Sequence, residues 1–164
     1  MTTRTFSSGY QPSLNDLKAN LRITSSDLDV VLEADLKSAI VAAEHHVGRK
    51  IGMSVFTLTT DFSGSLKLEG PVASITSVTL DGVVLDPSAY TLRRNTLTFA
   101  AGVAGTSVIV VYSAGMSYVP EDIKAAILLH AGQLFNDPVD SVEALPKAST
   151  NLLRPYRRWG IDGD

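Results

Sequence analysis

The chain has 164 residues, which suits one globular domain, and 45% of them are apolar against 19% charged. This composition supplies enough apolar surface for a core and excludes a disordered chain. The formal net charge of −3 leaves no overall positive field to hold nucleic acid, and the absence of cysteine excludes disulfides, thiolate metal sites and cysteine nucleophiles. The apolar runs are only a few residues long, so we expect neither a signal peptide nor a membrane span.

The first third of the chain predicts an arm and two helices. Residues 1–12 are polar and predict a flexible N-terminal arm. Ser13 can cap a short helix whose leucines share one face. Serine and threonine at 24–26 can cap a longer amphipathic helix, which is predicted to end near Val47 because Gly48 can adopt the left-handed conformation.

The middle third predicts an antiparallel β-region. From Met53 onward β-branched and aromatic residues alternate with polar ones. Asp81-Gly82 lies between two apolar runs, a strong signal for a two-residue hairpin turn, and Arg94-Asn95 predicts a second hairpin. The run at 108–112 (VIVVY) is predicted to be a buried strand.

The last third predicts two more helices. Pro120 is tolerated at the start of a helix, and its acidic followers favour the positive end of the helix dipole. The short last helix is predicted over 147–153, with Pro155 stopping or kinking it. We therefore expect an α+β fold with N-terminal helices, a central antiparallel β-region and C-terminal helices, in one domain over 13–159 followed by a tail at 160–164.

The residues that could carry chemistry do not form a recognisable site. His45 and His46 are adjacent, so on a helix they point about 100° apart and cannot ligate one metal as an i, i+4 pair could. His130 is predicted to be a core or interface residue. The carboxylates fall at helix starts and turns, where capping explains them, and no serine lies in a nucleophile elbow. We expect no metal, no cofactor and no enzymatic activity.

One dense basic and aromatic cluster stands near the C-terminus. Its members are Arg154, Tyr156, Arg157, Arg158 and Trp159. They could be a segment whose aromatics pack on the core while the arginines are solvated. Arginine, tyrosine and tryptophan are also enriched at interface hot spots, so the cluster is equally a candidate partner-binding site.

Six patches, in chain order, resemble the phage connector family, the head–tail adaptor proteins of long-tailed bacteriophages, prophages and gene transfer agents. The patch at 68–78 (LEGPVASITSV) is close to the family's L-x-x-G-P-V-x-S-I-x-S-V. The other patches are LKANLRI at 17–23, the helix end at 42–49, VYSAG at 111–115, the V-P helix start at 119–127 and LLRPYR at 152–157.

The resemblance implies a structural role at the head–tail junction of a virion, after assembly in the host cytoplasm. It implies a homo-oligomeric ring, expected to be a dodecamer, that binds the portal protein, docks a tail-completion or stopper protein, and extends the channel with only non-specific proximity to packaged DNA. By analogy it places the portal contact at the C-terminal cluster. The rival interpretation is a DNA-packaging accessory module that binds nucleic acid through Arg154, Arg157, Arg158 and Trp159.

Overall fold

The computed structural model describes residues 1–7, 11–137 and 145–157. They form two compact units, each with its own buried residues, where the sequence predicts one domain over 13–159. The β unit comprises residues 1–7 and 53–117, and the helical unit comprises the described parts of 11–52 and 118–157. The division arises because the β-region is inserted in the chain between two pairs of helices. The fold class is α+β, as the sequence predicts.

The described residues of the helical unit form four α-helices. They are α1 (Leu14–Leu21), α2 (Asp29–Val47), α3 (Glu121–Asn136) and α4 (Lys147–Leu153). Their apolar faces form a core in which the most fully buried side chains are Leu17, Leu32, Leu36, Ile40, Val47, Ile123, Ile127 and Leu153.

Helix α1 begins with the cap that the sequence predicts. The Asp16 backbone N–H donates to Ser13 Oγ at 3.3 Å, and the Ser13 N–H donates to Asp16 Oδ2 at 2.7 Å. This reciprocal capping box satisfies backbone donors that the first helical turn leaves unpaired. Leu17 is fully buried, so the predicted leucine face does point into the core.

Helix α2 begins later than the sequence predicts. The serines and threonine at 24–26 precede a turn, and the residue at the N-cap is Leu28, whose side chain cannot accept a hydrogen bond. The Lys18 ammonium instead pairs with Asp29 Oδ1 at 2.6 Å at the first helical position. The predicted end is confirmed: Gly48 has φ 75° and donates to the Glu44 carbonyl at 2.8 Å.

The β unit contains two sheets in its described residues. Its strands are β1 (Thr2–Phe6), β2 (Ser54–Asp61), β3 (Ser65–Lys67), β4 (Val72–Leu80), β5 (Val83–Val84), β6 (Tyr90–Arg93), β7 (Thr96–Phe99) and β8 (Ser107–Ala114). One sheet has the order β1-β2-β8-β4-β5 and the other β3-β7-β6, with antiparallel pairing throughout. The predicted buried strand, β8, is central to the larger sheet.

The sequence predicts a flexible arm over residues 1–12, but in the structure residues 2–6 of this segment form strand β1. Residues 2–6 pair with β2 as an edge strand, in the register Thr3↔Thr57. None of the β1 side chains is fully buried, so the apolar periodicity that reveals other strands is missing from its sequence. The strand is held by its backbone ladder and by Arg4, which donates to Ser54 Oγ at 2.9 Å and stacks over the Phe6 ring at 4.0 Å.

Both predicted hairpins are confirmed. Leu80 pairs with Val83 across Asp81 and Gly82, whose φ values of 47° and 86° fit the turn type that demands positive φ at both positions. Thr96 pairs with Arg93 across the second turn.

The two sheets of the β unit share one apolar core. The Phe56 and Tyr112 rings stack with their centroids 5.5 Å apart. Around them the buried members are Leu66, Leu68, Val78, Leu80, Leu97, Phe99, Val108, Val110 and Ala114.

Candidate functional site: the C-terminal segment

Helix α4 fixes the start of the C-terminal segment against α3. Ser149 is fully buried, and its Oγ donates to the Ala126 carbonyl oxygen at 2.9 Å. Leu153 at the end of α4 is also fully buried. The backbone then tightens into a 3₁₀ turn over Arg154–Tyr156 that contains Pro155, so the predicted helix stop is confirmed.

Three of the five residues of the predicted partner-binding cluster lie in the described part of the chain. Arg154 and Arg157 are exposed and Tyr156 is half-buried. The Tyr156 hydroxyl donates to Asp122 Oδ2 at 3.4 Å, a long hydrogen bond that brings the segment to the first turn of α3. Arg158 and Trp159 lie outside the described residues.

The electrostatics of Tyr156 reflect that position. Desolvation raises the pKa of its phenol, and the neighbouring Asp122 carboxylate and Tyr118 raise it further. Tyr156 is therefore a neutral hydroxyl at physiological pH. A half-buried neutral aromatic flanked by two exposed arginines can contact a partner through apolar area and charge together.

Tyr118 is a surface residue that the sequence analysis missed. Its side chain is 69% exposed, and it stands two residues before Pro120, where the chain enters α3. An aromatic in the loop before a proline-initiated helix was the available signal. Tyr118 therefore adds an aromatic side chain near the N-terminal end of α3, which is the end that Tyr156 also contacts.

The same unit contains a shallow groove between α1 and α3. Its floor is mainly apolar and includes Leu129, which is 45% exposed. Its rim carries the Glu121–Lys124 ion pair at 2.8 Å, and Glu121 raises the pKa of the Lys124 ammonium.

The three histidines differ in burial. His130 is 6% exposed in α3, and desolvation lowers its pKa, so it is a neutral core residue, as predicted. His45 is exposed and His46 half-buried near the end of α2. Among the residues that the structure describes, no three metal-binding side chains cluster.

Two carboxylates, those of Asp81 and Glu44, accept hydrogen bonds from backbone N–H groups. Asp81 accepts from the Thr106 and Ser107 N–H groups at 3.0 and 2.9 Å, and these hydrogen bonds lower its pKa. The buried Glu44 accepts from the Ile51 and Gly52 N–H groups at 2.8 and 3.1 Å, which closes the chain after α2. Both side chains hold loops in place.

Solved structures share this fold over the full chain. A neck chain of an empty gene transfer agent (GTA) particle computed with C6 symmetry has a TM-score of 0.71 at 22% identity, covering 100% of this chain and 98% of that chain. A neck chain of the native particle computed with C12 symmetry has a TM-score of 0.70 at 21% identity, with 100% and 98% covered. A chain of the native GTA virion has a TM-score of 0.67 at 20% identity, with 99% and 98% covered. The predicted resemblance is thereby confirmed as a likeness of fold.

A family model described as "Heme-binding protein Shr-like, Hb-interacting domain" matches residues 41–125, slightly more than half of the chain. The chain belongs to this family. The matched span runs from within α2 through strands β2 to β8 into α3. No curated protein matches the chain. Within the described residues, no helix is long and apolar enough to cross a membrane.

Proposed function

We propose that the chain is a structural head–tail connector that forms a ring under the portal of a virus-like particle, at the junction of head and tail. The observation that carries the proposal is the likeness of fold to neck chains of GTA particles over the whole chain. The C12 and C6 symmetries of those necks support an oligomeric ring, with twelve copies as the expected number. The role is assembly: the ring extends the DNA channel and presents a surface to a tail-completion or stopper protein.

The C-terminal segment is the proposed portal contact. Arg154 and Arg157 are exposed beside the half-buried Tyr156, and the chain continues through Arg158 and Trp159. Charged guanidinium groups and aromatic rings are the groups that most often dominate interface energies. Helix α4, packed on α3, provides a rigid base for this segment.

The proposal is tested by mixing the purified chain with its cognate portal ring and measuring the mass of the complex. We expect one defined complex carrying twelve copies. A portal that stays bare at micromolar concentrations of the chain would contradict the proposal.

The family name favours a second candidate, the binding of heme or of hemoglobin. The matched span contains two of the three histidines, His45 and His46, which are neighbours on α2 and solvent-accessible. Adjacent helical residues point in different directions, so only one of them can be an axial ligand of a given heme. Titration with hemin, followed by Soret absorbance, distinguishes the candidates: a saturable one-to-one complex lost in His46→Ala or His45→Ala would favour heme binding.

The DNA-packaging alternative makes a different prediction. DNA that passes through a channel must slide, so a connector should bind duplexes weakly and without sequence preference. An accessory module using the C-terminal arginines should instead bind tightly at low salt and lose affinity steeply as salt rises. Measuring the affinity for several duplexes across a salt series separates the two.

A further inference from the structure

The larger sheet of the β unit has one face turned away from the shared core. Side chains alternate between the two faces of a strand. Phe56, Val78, Val110 and Tyr112 are buried on the core side. The residues between them therefore lie on the opposite side, which we call the outer face.

The strand register arranges most of the outer face in three rows that cross the sheet, and a shorter fourth row, Asp61-Ser107, lies at its margin. The three rows are Thr5-Val55-Ser113-Ser74, Thr3-Thr57-Val111-Ser77 and Thr59-Ile109-Thr79-Val84. All twelve residues of these three rows are threonine, serine, valine or isoleucine, and none has a charged side chain. Charges occur at the margin: the Asp61 carboxylate, and the N-terminal ammonium of Met1, which donates to the Thr59 carbonyl at 2.6 Å. With 19% charged residues in the chain, about two of twelve positions would carry a charge by composition alone, and more at solvent-facing positions.

These side chains are accessible. Val84 is 67% exposed, Ile109 38% and Val55 37%, and none of the twelve belongs to the buried residues. The smaller sheet of the same unit differs: its row of exposed residues Lys67-Thr96-Arg93 carries two positive charges. The lack of charge is therefore a property of the three rows, while the margin of the outer face at Asp61 and the smaller sheet are charged.

Depletion of charge is the compositional feature of the centre of protein interfaces, because unpaired charges are costly to desolvate. Branched aliphatic side chains supply apolar area, and threonine and serine hydroxyls can pair with a partner's polar groups. Nucleic acid does not fit the outer face, since phosphates require cations. The surface suits another protein.

We propose that the outer face is the contact between neighbouring copies of this chain in the ring. The inference rests on the proposed connector function, and it is supported by the symmetric necks in which chains of this fold occur. Strands about 4.8 Å apart and rows about 7 Å apart give a face of roughly 20 by 14 Å between outermost Cα atoms. This footprint, about 280 Å², is well below the roughly 800 Å² per partner that a stable complex buries. Because the contact is small, we expect it to form only when a template such as the portal aligns the copies.

The first test introduces charge on the outer face. Thr59→Lys and Ile109→Lys each place an ammonium in the proposed contact, and Thr98→Lys is the matched control on the exposed face of the smaller sheet. With the portal present, we expect the first two variants to show at least tenfold weaker ring formation and the control to match the wild type. Outer-face variants that keep their circular dichroism spectrum and form rings like the wild type would overturn the inference.

The second test does not require a variant that disrupts the ring. Because the chain has no cysteine, one introduced cysteine is the only thiol that a maleimide can label. Thr59→Cys and, as the control, Thr98→Cys are labelled with a maleimide before and after ring formation on the portal. We expect the cysteine at position 59 to be protected in the ring while the one at 98 stays reactive.

The outcomes separate the two proposals. If the wild type forms no ring on the portal, the connector function itself fails. If the ring forms and position 59 stays reactive, only the inference about the outer face fails. Protection that arises only when a tail-side protein is added would assign the outer face to that protein and overturn a contact between copies.

Discussion

Gly82 supplies a positive φ that the β4–β5 hairpin turn requires. Its φ is 86°, and a Cβ built at this position meets no atom within 4 Å. The cost of a larger residue is therefore conformational and not steric. Asp81, the other turn residue, is held at φ 47° by its hydrogen bonds to the backbone of residues 106 and 107.

We expect Gly82→Val to lower the free energy of unfolding by about 1 kcal/mol or more, because a β-branched residue is strained at positive φ. Gly64→Val is the control, since Gly64 also has open space and no positive φ. Urea unfolding followed by circular dichroism measures both. Equal stability of the two variants would remove the role assigned to the turn.

His130 predicts a pH dependence of stability. Burial lowers its pKa in the folded state from the ordinary 6.5, so the unfolded chain binds more protons at mildly acidic pH. The stability that neutral His130 contributes is fully present above about pH 6.5, and it is lost as the pH falls from there toward the folded-state pKa. The Nδ1 atom is buried without a hydrogen-bond partner, which leaves protonation uncompensated.

Unfolding measured at pH 7.5 and 5.5 tests this effect. The wild type should lose stability at the lower pH, by about 1 kcal/mol for each unit by which the pKa is lowered within that window. His130→Leu should lose less. A variant with the same pH dependence as the wild type would show that other groups are responsible.

At the scale of elements, the turn between β6 and β7 braces the start of β4. The Asn95 carbonyl accepts from the Leu68 N–H at 2.7 Å, and Asn95 Oδ1 accepts from the Val72 N–H at 3.2 Å. A Cβ at Gly70 would collide with the Asn95 side chain. Gly70 lies in the patch at 68–78 that resembles the phage connector family. A glycine is required there because the β6–β7 hairpin approaches it closely.

A double-mutant cycle checks this packing. Gly70→Ala should destabilise the wild type by about 1 to 3 kcal/mol, because overpacking forces the neighbouring side chain to shift. In an Asn95→Ala background the same substitution should cost less, giving a coupling energy of at least about 0.5 kcal/mol. Additive effects would mean that the two residues do not meet.

The C-terminal segment gives the second prediction about an element. If it is the portal contact, deletion of residues 158–164 should leave the circular dichroism spectrum unchanged and abolish portal binding. Trp159→Ala alone should weaken binding by about 2 kcal/mol if it is a hot spot. Thr98→Ala is the control, since Thr98 is an exposed residue of the β unit outside this segment. Unfolding of the truncated chain would assign Trp159 to the core, and retained binding would place the contact elsewhere.

At the scale of the whole molecule, the free chain should be monomeric or heterogeneous. The net charge is −3, and the outer face is small for a stable interface. A ring should therefore become defined only on the portal, where neighbouring copies are aligned and the second contact becomes effectively intramolecular. Native mass measurement at micromolar concentration checks this, and a unique free ring would contradict it.

The sequence by itself determined the α+β class, the order of the helices and the main strands, both hairpins and the caps at Ser13 and Gly48. These features depend on local signals: periodicity, turn residues and capping groups act within a few residues of each other. It did not reveal β1, which has no fully buried side chain and exists through its pairing with β2. The outer face was equally hidden, because its rows combine residues from strands far apart in the chain. Only the strand register of the tertiary structure decides which uncharged residues become neighbours.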